Sequence, residues 1–183
     1  GTGIDTDYFN VHPYPEDNPV TFLLIARLIW DKGVEEFVEA ARQIKSEFSN
    51  VRFQLLGFLD VSNRTAISRQ QMQIWVGQGL IKYLGETDDV RPYIADVECV
   101  VLPSYREGLP RTLLEAASMG RPIIAADVTG CREVVDHGVN GYLCKAKDAS
   151  DLSEKMKDMI KLSIDERREM GLRGRKKIKK NFD

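Results

Sequence analysis

The sequence is poor in the residues that build stapled or metal-centred folds. Its three cysteines, Cys99, Cys131 and Cys144, are odd in number and form no CxxC pair, and its two histidines, His12 and His137, have no partner at ligand spacing. Neither a disulfide framework nor a zinc site is indicated, and a reducing cytoplasm is the expected compartment. No apolar run approaches the ~20 residues that a membrane-spanning helix needs, and no signal-like segment is visible. Charge of one sign is scarce as well. With 26 Lys and Arg against 28 Asp and Glu, the net charge is -2, which lacks the basic excess that a nucleic-acid backbone demands. Any phosphate this chain binds must be held by a local arrangement.

What is present is the composition of a globular domain, 43% hydrophobic and 30% charged over 183 residues, enough for one continuous core. Short apolar runs alternate with segments of helical periodicity. VTFLLIARL, VRFQLLG, IKYLG, VECVVLP, RPIIAAD and NGYLC read as strands; GVEEFVEAARQIKSEF, RTAISRQQMQIWVGQG, LPRTLLEAASMG, REVVDHG, DLSEKMKDMIKL and DERREMGLRGRKKIKK read as helices. Strands such as VECVVLP are apolar throughout, as expected of a sheet buried on both faces. The alternation predicts an α/β fold with a doubly wound, Rossmann-like parallel sheet and a ligand crevice at the carboxyl ends of its strands.

Two segments fall at that crevice. In PSYREGLPRTLLE, a buried strand leads through a loop into a helix with Pro110 in its opening turn. The amides of Gly108, Leu109 and the first turn, with the positive end of the helix dipole, form an anion site, and Gly108 lets an oxygen approach the backbone. In ARLIWDKG, Arg27 and Lys32 follow the first strand, and two such cations beside an anion-binding helix suit a diphosphate without a metal. Plainer pairings compete: Lys32 with Glu35 or Glu36, and Arg111 with Glu115 four residues on, a contact worth about 0.3 kcal/mol. Glu115 stands at the helix margin, where a carboxylate can accept two ribose hydroxyls.

With these residues in view, the chain resembles the C-terminal, donor-binding domain of the retaining GT-B glycosyltransferases, family 4 (glycosyl transferases group 1). The likeness runs through nearly all of the sequence: GIDTDYF, ARLIWDKGVEEFVEA, VRFQLLG, IKYLGETDDV and PSYREGLPRTLLEAASMGRPIIAADVTGCREVVDHGVNGYL. The last block carries the family's Glu-x7-Glu motif as Glu107 and Glu115. The resemblance implies one donor-binding domain over residues 1–183, lacking the N-terminal acceptor domain with which it would form the active cleft. It implies a nucleoside diphosphate sugar, UDP-sugar foremost, as substrate and no metal or other cofactor. Glu107 would contact the donor sugar, Glu115 the ribose, and Arg27 and Lys32 the diphosphate. The amides of Leu109, Arg111 and Thr112, with the Thr112 hydroxyl, would complete the phosphate cradle, and backbone groups around Tyr83 and Leu84 would meet the base. The sequence departs from the family in GFLDVSNRTAIS, which has only Gly57 where many members have a glycine-rich turn.

Other signals are weaker. GTG at residues 1–3 has no strand before it and no helix after it, so the dinucleotide fingerprint of a dehydrogenase fails. Asp5 and Asp7 imitate an acidic metal motif but lie in an entry segment, and Cys131 is a lone thiol beside Gly130. The basic stretch 167–180 could touch an anionic membrane as a peripheral contact, or be a solvated helix face. A sugar-nucleotide 2-epimerase of the same architecture and a non-catalytic nucleotide-binding module are the rival functions.

Overall fold

The computed structural model of the chain describes residues 3–16, 19–59 and 62–183. Among them, six parallel strands form one sheet: β1 (Val20–Ile25), β2 (Val51–Leu56), β3 (Lys82–Tyr83), β4 (Cys99–Leu102), β5 (Ile123–Ala126) and β6 (Gly141–Cys144), in the order β3-β2-β1-β4-β5-β6. The helices are α1 (Val34–Glu47), α2 (Arg69–Gly77), α3 (Arg91–Ala95), α4 (Arg111–Ser118), α5 (Thr129–Val134), α6 (Ala149–Lys161) and α7 (Ile164–Asn181). This is the doubly wound, Rossmann-like α/β architecture that the alternating pattern predicts. β4 and β5 are buried at every position because helices cover both faces, which explains their lack of polar alternation.

The two faces carry separate cores. On one, Phe22 and Leu24 of β1 and Phe53 and Leu55 of β2 pack under Phe37 and Ala41 of α1, Trp75 of α2 and Met156 of α6. On the other, Leu23, Ile25 and Leu56 meet Ile94 of α3, Leu113 and Ala117 of α4, and Val134 of α5. The last helix also belongs to this second face through Ile178. Its inward basic residues are structural: Arg175 donates to the carbonyls of Thr6, Phe9 and Ser118, and Arg167 to those of Met159, Ile160 and Leu162.

All six expected strands are present, and the helices differ at their ends. Helix α2 starts at Arg69, not Arg64, because Ser68 caps it by accepting from the Gln71 amide. The short helix expected from Arg132 begins at Thr129 and stops at Val134, since Val135 turns extended. Pro110 is the residue before α4 rather than part of its first turn. Helix α3 was not expected; at five residues it is too short to establish a period. Of GTG, residues 1 and 2 lie outside the described residues, as do 60 and 61 of the segment GFLDVSNRTAIS.

At the amino ends of the strands lies a buried polar cluster. The Tyr14 hydroxyl donates to the Glu98 carbonyl, the Thr21 amide donates to the Glu98 carboxylate, and Arg121 donates to five backbone carbonyls, those of His12, Pro13, Ile94, Ala95 and Met119. The second carboxylate oxygen of Glu98 has no partner among the described residues. Burial pushes the Glu98 carboxyl up from 4.5 to about 7, outweighing the amide of Thr21 and the two arginines. The folded state thus favours the neutral acid. This group's contribution to stability is greatest below pH 4.5 and falls away as the pH rises from there through about 7. Glu98→Gln keeps an acceptor for Thr21 and should stabilise the protein by about 2 kcal/mol at pH 8 while changing little at pH 4.5. Urea unfolding at the two pH values measures this; equal differences at both would show that ionisation of Glu98 is not what burial opposes.

Candidate diphosphate-binding site

The strand order reverses between β1 and β4, so the connections that follow these neighbouring strands leave in opposite directions and open a crevice between them. After β1 the chain passes Arg27 and Leu28 into a single 3-10 turn, Trp30–Lys32, closed by Gly33 at φ 77°. Glycine is required there twice over. It relieves the left-handed backbone, and a Cβ on it would stand 2.0 Å from the Pro103 carbonyl oxygen. That close approach stitches the two connections together. The Tyr105 amide donates to the Asp31 carbonyl at 2.9 Å, the Ser104 hydroxyl contacts the carbonyls of Asp31 and Arg106, and the Tyr105 hydroxyl donates to Glu36. On the far side, α5 presses on the same loop: a Cβ on Gly130 would fall 1.5 Å from the Gly108 carbonyl oxygen.

The charged groups meet inside this frame. Lys32 Nζ donates to Glu107 Oε1 at 2.6 Å, joining the two sides of the crevice. Lys32 therefore does not pair with Glu35 or Glu36, the plainer partners its position on the turn allowed, and Glu36 is instead held by Tyr105. Arg27 is exposed at the end of β1. Helix α4 starts with no side-chain cap, and among the described residues no acceptor meets the amides of Gly108, Leu109, Arg111 and Thr112. The space beside Gly108 is open, since a Cβ there would have no neighbour within 4 Å. Free amides and the positive end of the helix dipole favour an anion at this point of a chain with a slightly negative net charge.

One turn into α4, Glu115 is 9% exposed and faces Arg111, whose Nε lies 3.6 Å from Glu115 Oε2. The intrahelical pair expected as a competing role is thus formed, but loosely, and Arg111 also reaches the Gly3 carbonyl at 3.5 Å. Burial raises the Glu115 carboxyl above its usual range and Arg111 only partly opposes this. The carboxylate accepts no short hydrogen bond among the described residues and has capacity for ligand hydroxyls.

Tyr83 and Leu84 lie at the end of β3, two strands from β1. The Tyr83 hydroxyl donates to the Gly57 carbonyl, and the Leu84 amide donates to the Leu55 carbonyl at 2.8 Å. The Leu84 amide is therefore already engaged in the sheet, which leaves its carbonyl and side chain for a base. Asp31, Ser104, Tyr105 and Gly130 escaped the sequence reading because their roles are contacts between separate loops. Gly130 lay ahead of the helix expected from Arg132, so its place inside α5 had no local signal. The signals read as weak take local roles: Asp5 accepts from the amides of Asp7 and Tyr8, and His137 Nδ1 pairs with the Leu143 amide. Burial pushes the Cys131 thiol up to about 12, so it is protonated and unreactive near neutrality. No group of three or more His, Cys, Asp or Glu suited to a metal occurs among the described residues.

A family model described as glycosyl transferases group 1 matches residues 19–161, which include every residue of this crevice. The chain belongs to the glycosyl transferases group 1 family. A relative within it, N,N'-diacetylbacillosaminyl-diphospho-undecaprenol alpha-1,3-N-acetylgalactosaminyltransferase of Campylobacter jejuni, is 36% identical over 140 residues, 76% of this chain and 35% of that protein. The chain spans between 35% and 46% of the length of the first curated glycosyltransferases it matches. Among solved structures, HepE of Anabaena in complex with UDP superposes with a TM-score of 0.84 at 22% identity, covering 99% of this chain and 52% of that one. The C-terminal domain of a glycosyl transferase group 1 family protein (LpcC) from Francisella tularensis gives a TM-score of 0.79 at 22% identity and covers 99% of both chains. These likenesses show that this glycosyl transferases group 1 chain shares their fold.

If the α5 contact sets the loop, Gly130→Ala should destabilise the protein by ~1–3 kcal/mol, as overpacking against a backbone carbonyl does. It should also shift the Gly108 and Leu109 amide resonances, whereas Gly138→Ala, where a Cβ has open space but the backbone is left-handed, should leave those resonances in place. Unchanged Gly108 signals in Gly130→Ala would mean that the loop holds its conformation without α5.

Proposed function

We propose that this domain binds the donor of a retaining glycosyltransferase, a nucleoside diphosphate sugar with UDP as the nucleotide. The observation that carries the proposal is the uncapped start of α4 at the strand-order switch, where the Lys32–Glu107 pair joins the two connections and Arg27 follows β1. Gly108, Leu109, Arg111 and Thr112 amides, with the Thr112 hydroxyl, hold the diphosphate, and Arg27 and Lys32 neutralise its charge without a metal ion. A diphosphate competes with Glu107 for Lys32, and the carboxylate so released accepts hydroxyls of the sugar. Glu115 accepts the ribose hydroxyls, and the Leu84 carbonyl and its surroundings meet the base. The UDP complex of a structure with the same fold supports this assignment.

In the full enzyme, the bond between the anomeric carbon and the diphosphate oxygen breaks as the acceptor oxygen bonds to that carbon from the same face. The acceptor proton passes to the departing diphosphate, and the configuration is kept. The work of this half is to position the donor and stabilise charge on the leaving group. Residues 1–183 form the C-terminal half of a GT-B enzyme, supported by the match along its full length to an isolated C-terminal domain. The acceptor is bound by an N-terminal domain outside these residues, and the 183-residue chain alone transfers no sugar at a useful rate. An acceptor presented at a membrane surface fits the exposed Lys176, Lys179 and Lys180 of α7. No helix among the described residues is long and apolar enough to cross a membrane.

Calorimetry in EDTA with UDP and a cognate UDP-sugar tests these roles. Glu107→Gln should weaken the UDP-sugar by about 1–3 kcal/mol while UDP binds as tightly or more tightly, because Lys32 loses its competing partner, and Glu115→Gln should weaken both alike by about 1–3 kcal/mol. Ribose hydroxyls favour the ionised carboxylate, so UDP affinity of the wild type should fall as the pH drops through the raised Glu115 value, and Glu115→Gln should flatten that dependence. Wild-type UDP binding by Glu115→Gln would leave the Arg111 pair as that residue's role. Loss of UDP itself in Glu107→Gln would overturn the sugar assignment, and binding that disappears in EDTA would overturn the metal-free site.

A further inference from the structure

Beyond the end of the sheet, β1 and β2 continue side by side as the Ala26 amide donates to the Leu56 carbonyl and the Leu28 amide to the Phe58 carbonyl. Side chains alternate along such a ladder. Ile25 and Leu56 belong to the core under α4, and Leu28 and Leu59 turn into the opposite core. Arg27 and Phe58 therefore project together from the α4 face, past the carboxyl edge of the sheet, with Leu84 of the neighbouring connection on that same face. Gly57 makes room for this arrangement, because a Cβ there would lie 1.7 Å from the Ala26 carbonyl oxygen.

Phe58 is 49% exposed. Of the two large aromatic side chains so exposed among the described residues, Tyr8 is occupied by the Arg91 guanidinium, 3.7 Å from its ring centroid, and by the edge of Phe9. Among the described residues, Phe58 has no ring partner. An unpartnered aromatic ring beside an arginine, at the carboxyl edge between β1 and β3, is a surface suited to one planar ligand group.

We propose that Phe58 is the stacking platform for the nucleobase, so that the base lies on its ring while Arg27 beside it reaches the first phosphate. This rests on the nucleoside diphosphate reading above and adds a residue that determines affinity for the nucleoside part. Stacking of a base on an aromatic side chain strengthens binding and tolerates different bases, so Phe58 favours a nucleotide over a bare diphosphate while discrimination among bases falls to groups around Leu84.

Calorimetry of the 183-residue protein with UDP, uridine and inorganic pyrophosphate distinguishes the possibilities. Phe58→Ala should weaken UDP about tenfold or more and leave pyrophosphate unchanged, and Phe58→Tyr should restore UDP binding. In Phe58→Trp, UDP should quench the new tryptophan's emission and pyrophosphate should not. As a half-exposed side chain, Phe58 can be truncated without opening a cavity, and an unchanged thermal midpoint confirms that the variants fold. Equal UDP affinity in wild type and Phe58→Ala would refute the platform and leave Phe58 as a contact for another part of a longer chain; equal losses for UDP and pyrophosphate would refute it too. If the wild-type protein gains no affinity from the nucleoside over pyrophosphate, the nucleotide reading itself fails, a result distinct from either.

Discussion

Everything at the crevice depends on how closely the connection after β1 approaches the connection after β4. The Gly33 backbone lies against the Pro103 carbonyl at a distance no side chain would permit, and the Tyr105 amide is bonded to the Asp31 carbonyl. These contacts fix the two strand ends of the switch point to one another. They bring Lys32, which follows the first strand, within 2.6 Å of Glu107, which follows the fourth, although 75 residues separate them in the chain. Gly130 performs the same task from the other side, admitting the Gly108 carbonyl against α5. A loop clamped on both flanks presents its amides in a fixed direction, and fixed dipoles stabilise a ligand's charge with little reorganisation.

The charge economy of the site follows from that rigidity. On the proposed reading, a slightly acidic chain holds an anion by concentrating backbone dipoles and two cations in one crevice, where a low local dielectric strengthens them. Glu115 stands in the same low-dielectric margin, and its carboxyl is raised for that reason. It is loosely satisfied by Arg111, which leaves it capacity for hydroxyl donors. The two carboxylates of the motif thus differ in kind: Glu107 is neutralised by a cation, and Glu115 awaits hydrogen-bond donors.

The strands were legible in the sequence because burial on both faces writes continuous apolar runs such as VECVVLP, and α1 and α4 because their apolar positions recur at helical spacing. The start of α2 at Arg69 was less legible, since RTAIS ahead of it contains apolar residues that pair with the loop after β1 instead, Ile67 through the Leu28 carbonyl and Ala66 through Ile29. Of the site, the helix start, both glutamates and both cations could be identified from local pattern and from the family resemblance. The Lys32–Glu107 pairing, the hold of Asp31 on Tyr105 and the exposed ring of Phe58 beside Arg27 could not, because each is set by register between segments remote in sequence.

The central claim is that a diphosphate is bound by the free amides at the start of α4. It is tested most directly by following the backbone amide resonances of Gly108, Leu109, Arg111 and Thr112 during titration with UDP in EDTA, with uridine as the control. The account predicts saturable shifts of these four amides with UDP, small or absent shifts with uridine, and a shared binding curve. UDP binding that leaves the four signals in place and moves a cluster elsewhere on the fold would contradict it.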